Sequence, residues 1–315
     1  MKRPGIVFLD ADTLGEVNGL YQLTKLGNLT VYQSTPHEQR IERVHGREII
    51  ISNKVIIDKE VMDACPTLKL ICIAATGMNN VDLDYASQKG ITVKNVAGYS
   101  TESVVQHTFS MLFYLMSNMR YYDDFVKQHK YADSLLFTHH GRPFQELAGK
   151  KYGIIGMGII GKRIAAVAQA FGAEVYYYSA SQKNLDTGYR RVSLNELLSE
   201  CDIISIHCPL TDSTRDLIGY EQLRKMKKEA LLINAGRGGI VNESDLAWAL
   251  NESLIGGAGL DVLLKEPPDA SNPLFHVSHP EKLLITPHIA WASVESRERL
   301  MEGIIANISA YLQKQ

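Results

Sequence analysis

The segment KKYGIIGMGIIGKRIA, residues 150–165, organises the rest of the chain. Its first part, residues 152–155, is apolar and short, as a buried strand is. An apolar helical spacing follows, carried by Ile164, Val167, Ala168 and Phe171. Three glycines stand between strand and helix in the order G-x-G-x-x-G. The first allows a tight turn, the second lets a pyrophosphate approach the backbone, and the third lets helix and strand pack closely. The stretch therefore predicts a dinucleotide site.

The residues predicted to form that site are the six of the turn. The helix that they open presents unpaired N–H groups and the positive end of its dipole, which favours a phosphate. The alternative is a glycine-rich turn that holds no ligand. The predicted cofactor-binding residues of the turn are Gly156, Met157, Gly158, Ile159, Ile160 and Gly161.

Length and composition limit the class of protein. The chain has 315 residues, enough for roughly two domains of about 150 residues each. It is 45% hydrophobic and 22% charged, with a formal net charge of −2, so no nucleic-acid or membrane-surface partner is expected. The first apolar run, residues 6–9, is too short for a signal peptide, and no apolar segment approaches the ~20 residues that span a bilayer. We predict a cytoplasmic protein.

The four cysteines show no C-x-x-C spacing. Each lies in or beside an apolar stretch, which predicts buried free thiols in a reducing compartment. No metal site is predicted. The four are Cys65, Cys72, Cys201 and Cys208.

Strand and helix patterns alternate along most of the chain, which predicts an α/β protein with two doubly wound parallel sheets. Residues 1–99 give the first sheet, and residues 100–288 give a larger Rossmann-type unit. The final helix, residues 293–312, has nothing left to pack on in that unit, so we expect it to return to the first. The predicted organisation is a dinucleotide-binding domain inserted into a flavodoxin-like substrate domain of residues 1–99 and 289–315.

Residues 101–126 are predicted to form one long helix. Its middle, residues 109–116, is apolar on every face, which is typical of a helix buried all round. We expect it to lie between two domains or two subunits, and it is the reason that we predict a homodimer. Residues 131–146 show no clear period and are predicted to be a connecting loop.

The strand after the glycine turn, residues 175–178, lacks the usual acidic residue. Where such a fold uses NAD, a carboxylate about 20 residues past the glycines holds the ribose 2′-hydroxyl. Here Ser179 stands at that place, and Lys183 follows. A serine and a lysine permit a 2′-phosphate and hence NADP, while Ser179 could equally contact a 2′-hydroxyl of NAD. Both cofactors remain open.

Three ionisable residues each follow a predicted strand. Arg237 lies among glycines in INAGRGG, Glu266 precedes two prolines, and His288 follows the last strand. Ligands of such sheets bind at the carboxyl ends of strands, and a guanidinium there can hold a carboxylate in a two-pronged pair. The alternatives are a surface arginine, a solvated glutamate and a structural histidine. Of the ten histidines, His107 and His207 lie in apolar surroundings and are predicted to be structural, although His107 could line the cleft.

Five segments, taken in order, resemble the D-isomer-specific 2-hydroxyacid dehydrogenases, and the resemblance covers nearly the whole chain. They are GIIGMGIIG, HCPLTDSTRDLI, LLINAGRGGIVNE, GAGLDVLLKEPP and TPHIAWAS. Two further segments are most similar to the glycerate dehydrogenase (hydroxypyruvate reductase) branch: AATGMNNVDLDYA and NVAGYSTESVVQHTFSMLF.

The resemblance implies roles for matching residues. Arg237 would bind the substrate carboxylate and carbonyl oxygen, His288 would be the general acid/base, and Glu266 would bond to its imidazole. In the first domain Thr76, Gly77 and Met78 would hold the carboxylate. Asp261 would orient the nicotinamide carboxamide. The other implied cofactor contacts are Thr108, Pro209, Thr214, Ala235 and Gly236, together with Ser179.

The implied reaction is hydride transfer between NAD(P)H and a small 2-keto acid, with hydroxypyruvate and D-glycerate as the expected pair. A protonated His288 would supply the proton, so reduction should weaken as the pH rises. Three alternatives remain: another keto acid such as glyoxylate or pyruvate, a nucleotide-sensing protein similar to the corepressor relatives, and a different two-domain enzyme such as an alanine dehydrogenase. The order of Arg237, Glu266 and His288 disfavours the last.

Overall fold

The structure is a computed structural model that describes residues 3–181 and 188–314. The chain divides into two compact units, Met1–Ser100 with Trp291–Gln315, and Thr101–Ala290. Lys183, considered above as a phosphate contact, lies outside the described residues. Among those residues, no helix is both long and apolar enough to cross a membrane.

The first unit contains a parallel sheet of five strands in the order β2-β1-β3-β4-β5. The strands and helices up to residue 95 are β1 (Gly5–Phe8), α1 (Leu20–Leu26), β2 (Asn28–Val31), α2 (Arg40–Val44), β3 (Ile49–Ser52), α3 (Lys59–Asp63), β4 (Leu70–Ile73), α4 (Leu83–Gln88) and β5 (Thr92–Asn95). This is the flavodoxin-like order, in which the strands are added in one direction as far as β2 and in the opposite direction from β3 onward, so that the switch point lies between β1 and β3. β3 and β4 are buried along their whole length, which explains their unbroken apolar sequence.

A buried carboxylate stabilises the loops at the carboxyl-terminal edge of this sheet, the edge at which ligands bind in such folds. Asp10, 4% exposed, follows β1 and accepts hydrogen bonds from the backbone N–H groups of Asn53 (2.9 Å), Lys54 (2.6 Å) and Val55 (3.2 Å). Burial raises the pKa of Asp10, while the N–H donors act in the opposite direction. The loop after β3 is thereby fixed to the end of β1.

The second unit contains seven parallel strands in the order β12-β11-β10-β9-β6-β7-β8. Its elements are α5 (Thr101–Met116), α6 (Met119–Lys127), β6 (Lys151–Ile155), α7 (Ile159–Ala170), β7 (Glu174–Tyr178), β8 (Arg190–Arg191), α8 (Leu194–Glu200), β9 (Ile203–Ile206), α9 (Tyr220–Leu223), β10 (Leu231–Asn234), α10 (Glu243–Asn251), β11 (Gly257–Leu260) and β12 (Leu283–Ile285). The direction of chain progression reverses between β6 and β9, beside the glycine turn. The predicted fold class, a Rossmann-type unit within a flavodoxin-like one, is confirmed.

The last helix, α11 (Val294–Leu312), packs on the first unit. Leu300, Met301, Ile304 and Ile308 are buried and face the same core as β1, β3 and β4. Their i, i+4 spacing places them on one stripe of the helix. The chain thus leaves the first unit at residue 100 and returns to it at residue 291.

The prediction of one helix over residues 101–126 is wrong. The helix ends at Met116, and a new one begins at Met119, because Asn118 adopts a left-handed conformation with φ of 50°. Asparagine tolerates this conformation better than most residues. Its side-chain amide donates to the carbonyl of Pro143 at 3.2 Å, which turns the chain toward the following loop.

The apolar middle of α5 belongs to the core of the second unit. Phe109, Met111 and Leu112 are buried in a cluster that also holds Ile154 of β6 and Ile233 of β10. Burial against the sheet of its own unit accounts for these three side chains, whereas residues 113–116 are only half-buried. The prediction that the helix is buried all round is therefore wrong for part of its surface, and its expected place between two domains or two subunits stays a prediction. The four cysteines are free and buried, as predicted.

Candidate active site

The glycine turn has a backbone that side chains would disrupt at two of its three glycines. Gly156 has φ of 100°, and a Cβ there would lie 2.7 Å from the backbone nitrogen of Cys208. A Cβ on Gly161 would lie 2.1 Å from the carbonyl oxygen of Gly156. A Cβ on Gly158, in contrast, would meet no protein atom within 4 Å. Gly156 and Gly161 are thus required by the fold, while the space above Gly158 is open for a ligand.

This difference leads to a prediction with a built-in control. Gly158→Ala should fold with an unchanged melting temperature but bind NAD(P)H about tenfold or more weakly, because the methyl group occupies the approach to the α7 N-terminus. Gly161→Ala should instead lower the melting temperature. Calorimetric titration and thermal unfolding measure the two effects. Unchanged cofactor affinity in Gly158→Ala would show that no diphosphate approaches this turn.

The remaining residues of the turn divide between core and surface. Met157 is 2% exposed and packs in the core, Ile160 packs against that core, and Ile159 is 68% exposed at the start of α7. Ser179, at the end of β7, is 5% exposed. Ser179 directly follows β7, which is the position at which NAD-binding folds of this kind carry an acidic residue. The open space above Gly158 can admit a dinucleotide.

Three neighbouring strands bring the predicted catalytic residues to one edge of the sheet. β10 pairs with β11 and β11 with β12, with Asn234 opposite Leu260 and Leu260 opposite Ile285. Arg237, Glu266 and His288 each follow the carboxyl end of one of these strands. Ligands of open α/β sheets bind at this edge.

Glu266 and His288 form a close pair. The imidazole Nδ1 of His288 lies 2.7 Å from Oε2 of Glu266. The other carboxylate oxygen accepts the backbone N–H of Leu263 at 3.0 Å, which fixes the carboxylate. An ionised carboxylate only accepts hydrogen bonds, so Nδ1 carries the proton and Nε2 is left for proton exchange. The side chains are 24% (His288) and 34% (Glu266) exposed, so the pair is reachable by a substrate.

Arg237 lies on a loop that is held from both ends. Asn234, 1% exposed, donates from its amide to the carbonyl of Arg237 at 3.0 Å and accepts the N–H of Gly236 at 3.0 Å. The guanidinium Nη1 donates to the carbonyl of Gly236 at 2.9 Å. A Cβ on Gly238 would lie 1.9 Å from the carbonyl oxygen of Leu263, so the arginine loop packs directly on the segment that leads to Glu266.

Asp261 anchors the loop that carries His288. It is 1% exposed, and its oxygens accept from the backbone N–H groups of Ile289 (2.8 Å) and Ala290 (2.8 Å) and from the hydroxyl of Thr286 (2.6 Å). These bonds give Asp261 a role in the protein frame, and its expected contact with a nicotinamide carboxamide stays a prediction. Sequence reasoning missed Thr286. The available signal was a hydroxyl residue two positions before His288, at the end of a strand adjacent to that of Asp261.

The other predicted cofactor residues are placed differently from one another. Thr108 is 0% exposed and its hydroxyl donates to the carbonyl of Val104 in the same helix, and its expected cofactor contact stays a prediction. Thr214 is 2% exposed, and its hydroxyl donates to the carbonyl of Pro209 at 2.8 Å, shaping the loop after β9. Pro209 is exposed, while Ala235 and Gly236 are half-buried at the end of β10.

The predicted carboxylate contacts of the first unit follow β4. Thr76 is exposed and Gly77 and Met78 are half-buried. The carbonyl of Thr76 accepts from the amide of Asn95 at 2.6 Å, and its hydroxyl donates to the carbonyl of Val96 at 3.3 Å. These bonds fix the loop at the carboxyl end of its strand.

His207, directly after β9, is a half-buried histidine whose Nδ1 is inaccessible to solvent. Its Nε2 lies 3.0 Å from the hydroxyl of Ser205, and within the described residues its inaccessible Nδ1 has no hydrogen-bond partner. Burial lowers the pKa of His207 to about 3. The prediction that His207 is structural agrees with this environment, although one ring nitrogen is unsatisfied.

The lowered pKa of His207 predicts a pH-dependent stability. Between pH 6.5 and 3 the unfolded chain binds a proton at this residue and the native protein does not. The free energy of unfolding should therefore fall as the pH falls, by up to about 1.4 kcal/mol per pH unit from this residue alone. His207→Asn should show a shallower slope in urea unfolding between pH 7 and 4.5. Equal slopes in the two proteins would contradict the burial of a neutral imidazole.

The fold and the site together define a pyridine-nucleotide-dependent oxidoreductase: a dinucleotide turn, with a cation and a carboxylate-paired imidazole on the same sheet edge. Comparison with known proteins agrees. The family model described as D-isomer specific 2-hydroxyacid dehydrogenase, NAD binding domain, matches residues 109–290. The chain belongs to the D-isomer specific 2-hydroxyacid dehydrogenase family, and is an NAD(P)-dependent dehydrogenase.

Three similar proteins illustrate the range of the family. A glycerate dehydrogenase of Methylorubrum extorquens is 37% identical over 98% of this chain and 96% of its own. A hydroxypyruvate reductase of Blautia hydrogenotrophica is 36% identical over 92% and 91%. The crystal structure of D-lactate dehydrogenase from Aquifex aeolicus, complexed with NAD and lactic acid, is 30% identical with a TM-score of 0.84 and covers 98% of this chain and 96% of that one.

Proposed function

We propose that this enzyme reduces hydroxypyruvate to D-glycerate, with Arg237, Glu266 and His288 as the catalytic residues. The observation that carries the site assignment is the Nδ1–Oε2 bond of 2.7 Å between His288 and Glu266, on the sheet edge that also carries Arg237. Similarity to a glycerate dehydrogenase and a hydroxypyruvate reductase over more than nine-tenths of the chain supports the substrate.

The chemistry follows from what each side chain can do. The dihydronicotinamide of a bound NAD(P)H would supply a hydride to the keto carbon, so that the carbonyl π electrons move to the oxygen as negative charge. A protonated His288 donates its Nε2 proton to that oxygen, giving the hydroxyl of the product. Glu266 stabilises the imidazolium through Nδ1 and keeps Nε2 directed outward. Arg237 binds the substrate carboxylate and carbonyl with fixed positive charge. In the first unit, the backbone at Thr76, Gly77 and Met78 is the proposed further carboxylate contact.

The choice between NAD and NADP is part of the proposal. Ser179 at the end of β7 places no carboxylate where a 2′-phosphate would bind, and a hydroxyl accommodates either form. We propose that the enzyme accepts both NADH and NADPH. Ser179→Asp should reduce activity with NADPH by repelling the phosphate while sparing activity with NADH.

We further propose a cytoplasmic homodimer. The support for a dimer now lies in α6 and the loop after it, which expose several large apolar side chains. Leu135 and Phe137 are 102% and 90% exposed, and Leu136 is 67% exposed. Isolated exposed apolar residues are ordinary, but a contiguous group is typical of an interaction surface.

A substrate panel tests the function. Hydroxypyruvate, glyoxylate, pyruvate and a branched-chain 2-keto acid are each offered with NADH and with NADPH, and the oxidation of the cofactor is followed by absorbance. We expect the highest kcat/KM with hydroxypyruvate and D-glycerate as the product. A higher kcat/KM with another keto acid would show that hydroxypyruvate is not the preferred substrate, while the proposed mechanism would still hold. Tight NADH binding with no turnover of any keto acid would indicate a nucleotide sensor and overturn the proposal.

A further inference from the structure

His107 is a polar residue of α5 that lies beside buried apolar side chains of the same helix. Its neighbours Val104 and Met111 on the same side are buried, and its own side chain is 19% exposed. Its Nε2 lies 2.9 Å from the hydroxyl oxygen of Thr286, which is 179 residues further along the chain at the end of β12. A histidine in this position is tied to a specific partner and does more than fill space.

The direction of the bonds in this cluster is determined by chemistry. The Thr286 hydroxyl lies 2.6 Å from Oδ1 of Asp261. An ionised carboxylate only accepts, so the single hydroxyl proton is donated to Asp261. The hydroxyl oxygen must then accept from His107, whose proton is therefore on Nε2. The result is a chain of hydrogen bonds in which His107 donates to Thr286 and Thr286 donates to Asp261. The Nε2 atom of His107 also lies 3.5 Å from the same carboxylate oxygen.

The end of this chain holds the backbone around His288. Asp261 accepts from the N–H groups of Ile289 and Ala290, and its own carbonyl accepts the N–H of His288 at 2.9 Å. His288 has φ of 55°, a left-handed conformation that is unfavourable for a residue other than glycine. Such a conformation persists when surrounding bonds determine it. Here those bonds converge on Asp261, and the orientation of its carboxylate depends on Thr286 and His107.

We infer that His107 is a positioning residue for the acid–base pair: by donating to Thr286 it sets the carboxylate of Asp261, which holds His288 against Glu266. This inference rests on the proposed function. It predicts that loss of the Nε2 donor of His107 misplaces the imidazole of His288 without removing any group that touches the substrate. Displacement of a reacting group by about 1 Å can cost up to about 100-fold in rate.

The test compares three variants. His107→Leu removes the donor and keeps the bulk, His107→Gln keeps an N–H near the position of Nε2, and Thr286→Val removes the relay hydroxyl. We expect kcat for reduction to fall about 10- to 100-fold in His107→Leu and His107→Gln to recover most of that loss. Thr286→Val should fall similarly, and the double variant should be little worse than either single one, since both break the same chain.

A second readout does not depend on activity. Hydrogen exchange of the Ile289 and Ala290 amides, measured by NMR, should become about tenfold faster in His107→Leu and stay near wild type in His107→Gln. If kcat and exchange in His107→Leu match wild type, or if glutamine rescues neither, the inference is overturned. If no protein turns over any keto acid but the exchange pattern appears, the positioning role stands and the proposed function fails.

Discussion

Replacing His288 by asparagine is expected to lower kcat for keto-acid reduction about 1,000-fold. The substitution preserves two features of His288. The asparagine amide can still donate to Glu266 from near the position of Nδ1, and asparagine tolerates the left-handed backbone that residue 288 adopts. What is lost is Nε2, the proposed proton donor, and a positioned acid or base contributes about 10²–10⁴ in rate. Single-turnover oxidation of NADH with saturating substrate measures the effect on the chemical step.

The control for this variant is cofactor affinity. His288→Asn should bind NADH as the wild type does, because the glycine turn and the end of β7 are untouched. Glu266→Gln should give a smaller loss of kcat, since the amide oxygen can still accept a hydrogen bond from Nδ1–H. The neutral amide no longer balances the charge of the imidazolium. A kcat for His288→Asn within a few-fold of wild type would exclude His288 as the proton donor.

Replacing Arg237 is expected to give the second large effect, and it should act on substrate rather than cofactor. Arg237→Lys retains a positive charge but loses the planar two-pronged geometry, so we expect kcat/KM to fall about 100-fold. Arg237→Gln loses the charge as well, and a fall of about 1,000-fold is expected, of the size seen when one fixed donor to a developing oxyanion is removed.

The comparison of the two Arg237 variants separates two roles. If Arg237 binds only the carboxylate, KM should rise with kcat nearly intact. If it also stabilises the carbonyl oxygen as charge develops, kcat should fall too, and more steeply in Arg237→Gln. Steady-state kinetics on hydroxypyruvate distinguish these. Unchanged kcat/KM in both variants would show that the guanidinium of Arg237 neither binds the substrate nor stabilises the transition state.

The fold could be anticipated from the sequence because its signals are local. The glycine turn, the alternation of buried strands with helices and the final amphipathic helix each depend on residues close together in the chain. The break at Asn118 could not be anticipated, because it depends on a bond to Pro143 from the following loop. The apolar run of residues 109–116 predicted burial on every face, but only part of it is buried, since periodicity does not say which surface covers a helix.

The site was anticipated only in part, for a related reason. Arg237, Glu266 and His288 follow strands that proved to be adjacent, and parallel strand ends lie side by side. Thr286 and His107 act through bonds between distant elements, and a single histidine in an apolar helix carries no signal of its partner. For Thr108 the resemblance implied a cofactor contact, which stays a prediction, and the bond of its hydroxyl to its own helix was not anticipated.

The most direct test of the account is the pH dependence of single-turnover reduction of hydroxypyruvate, measured in wild type and in His288→Asn from pH 6 to 9. If the Glu266–His288 pair delivers the proton, the wild-type rate falls as the pH rises, and the variant is slow with no such decline. A wild-type rate that stays flat over this range, or a variant that declines in the same way, would contradict it.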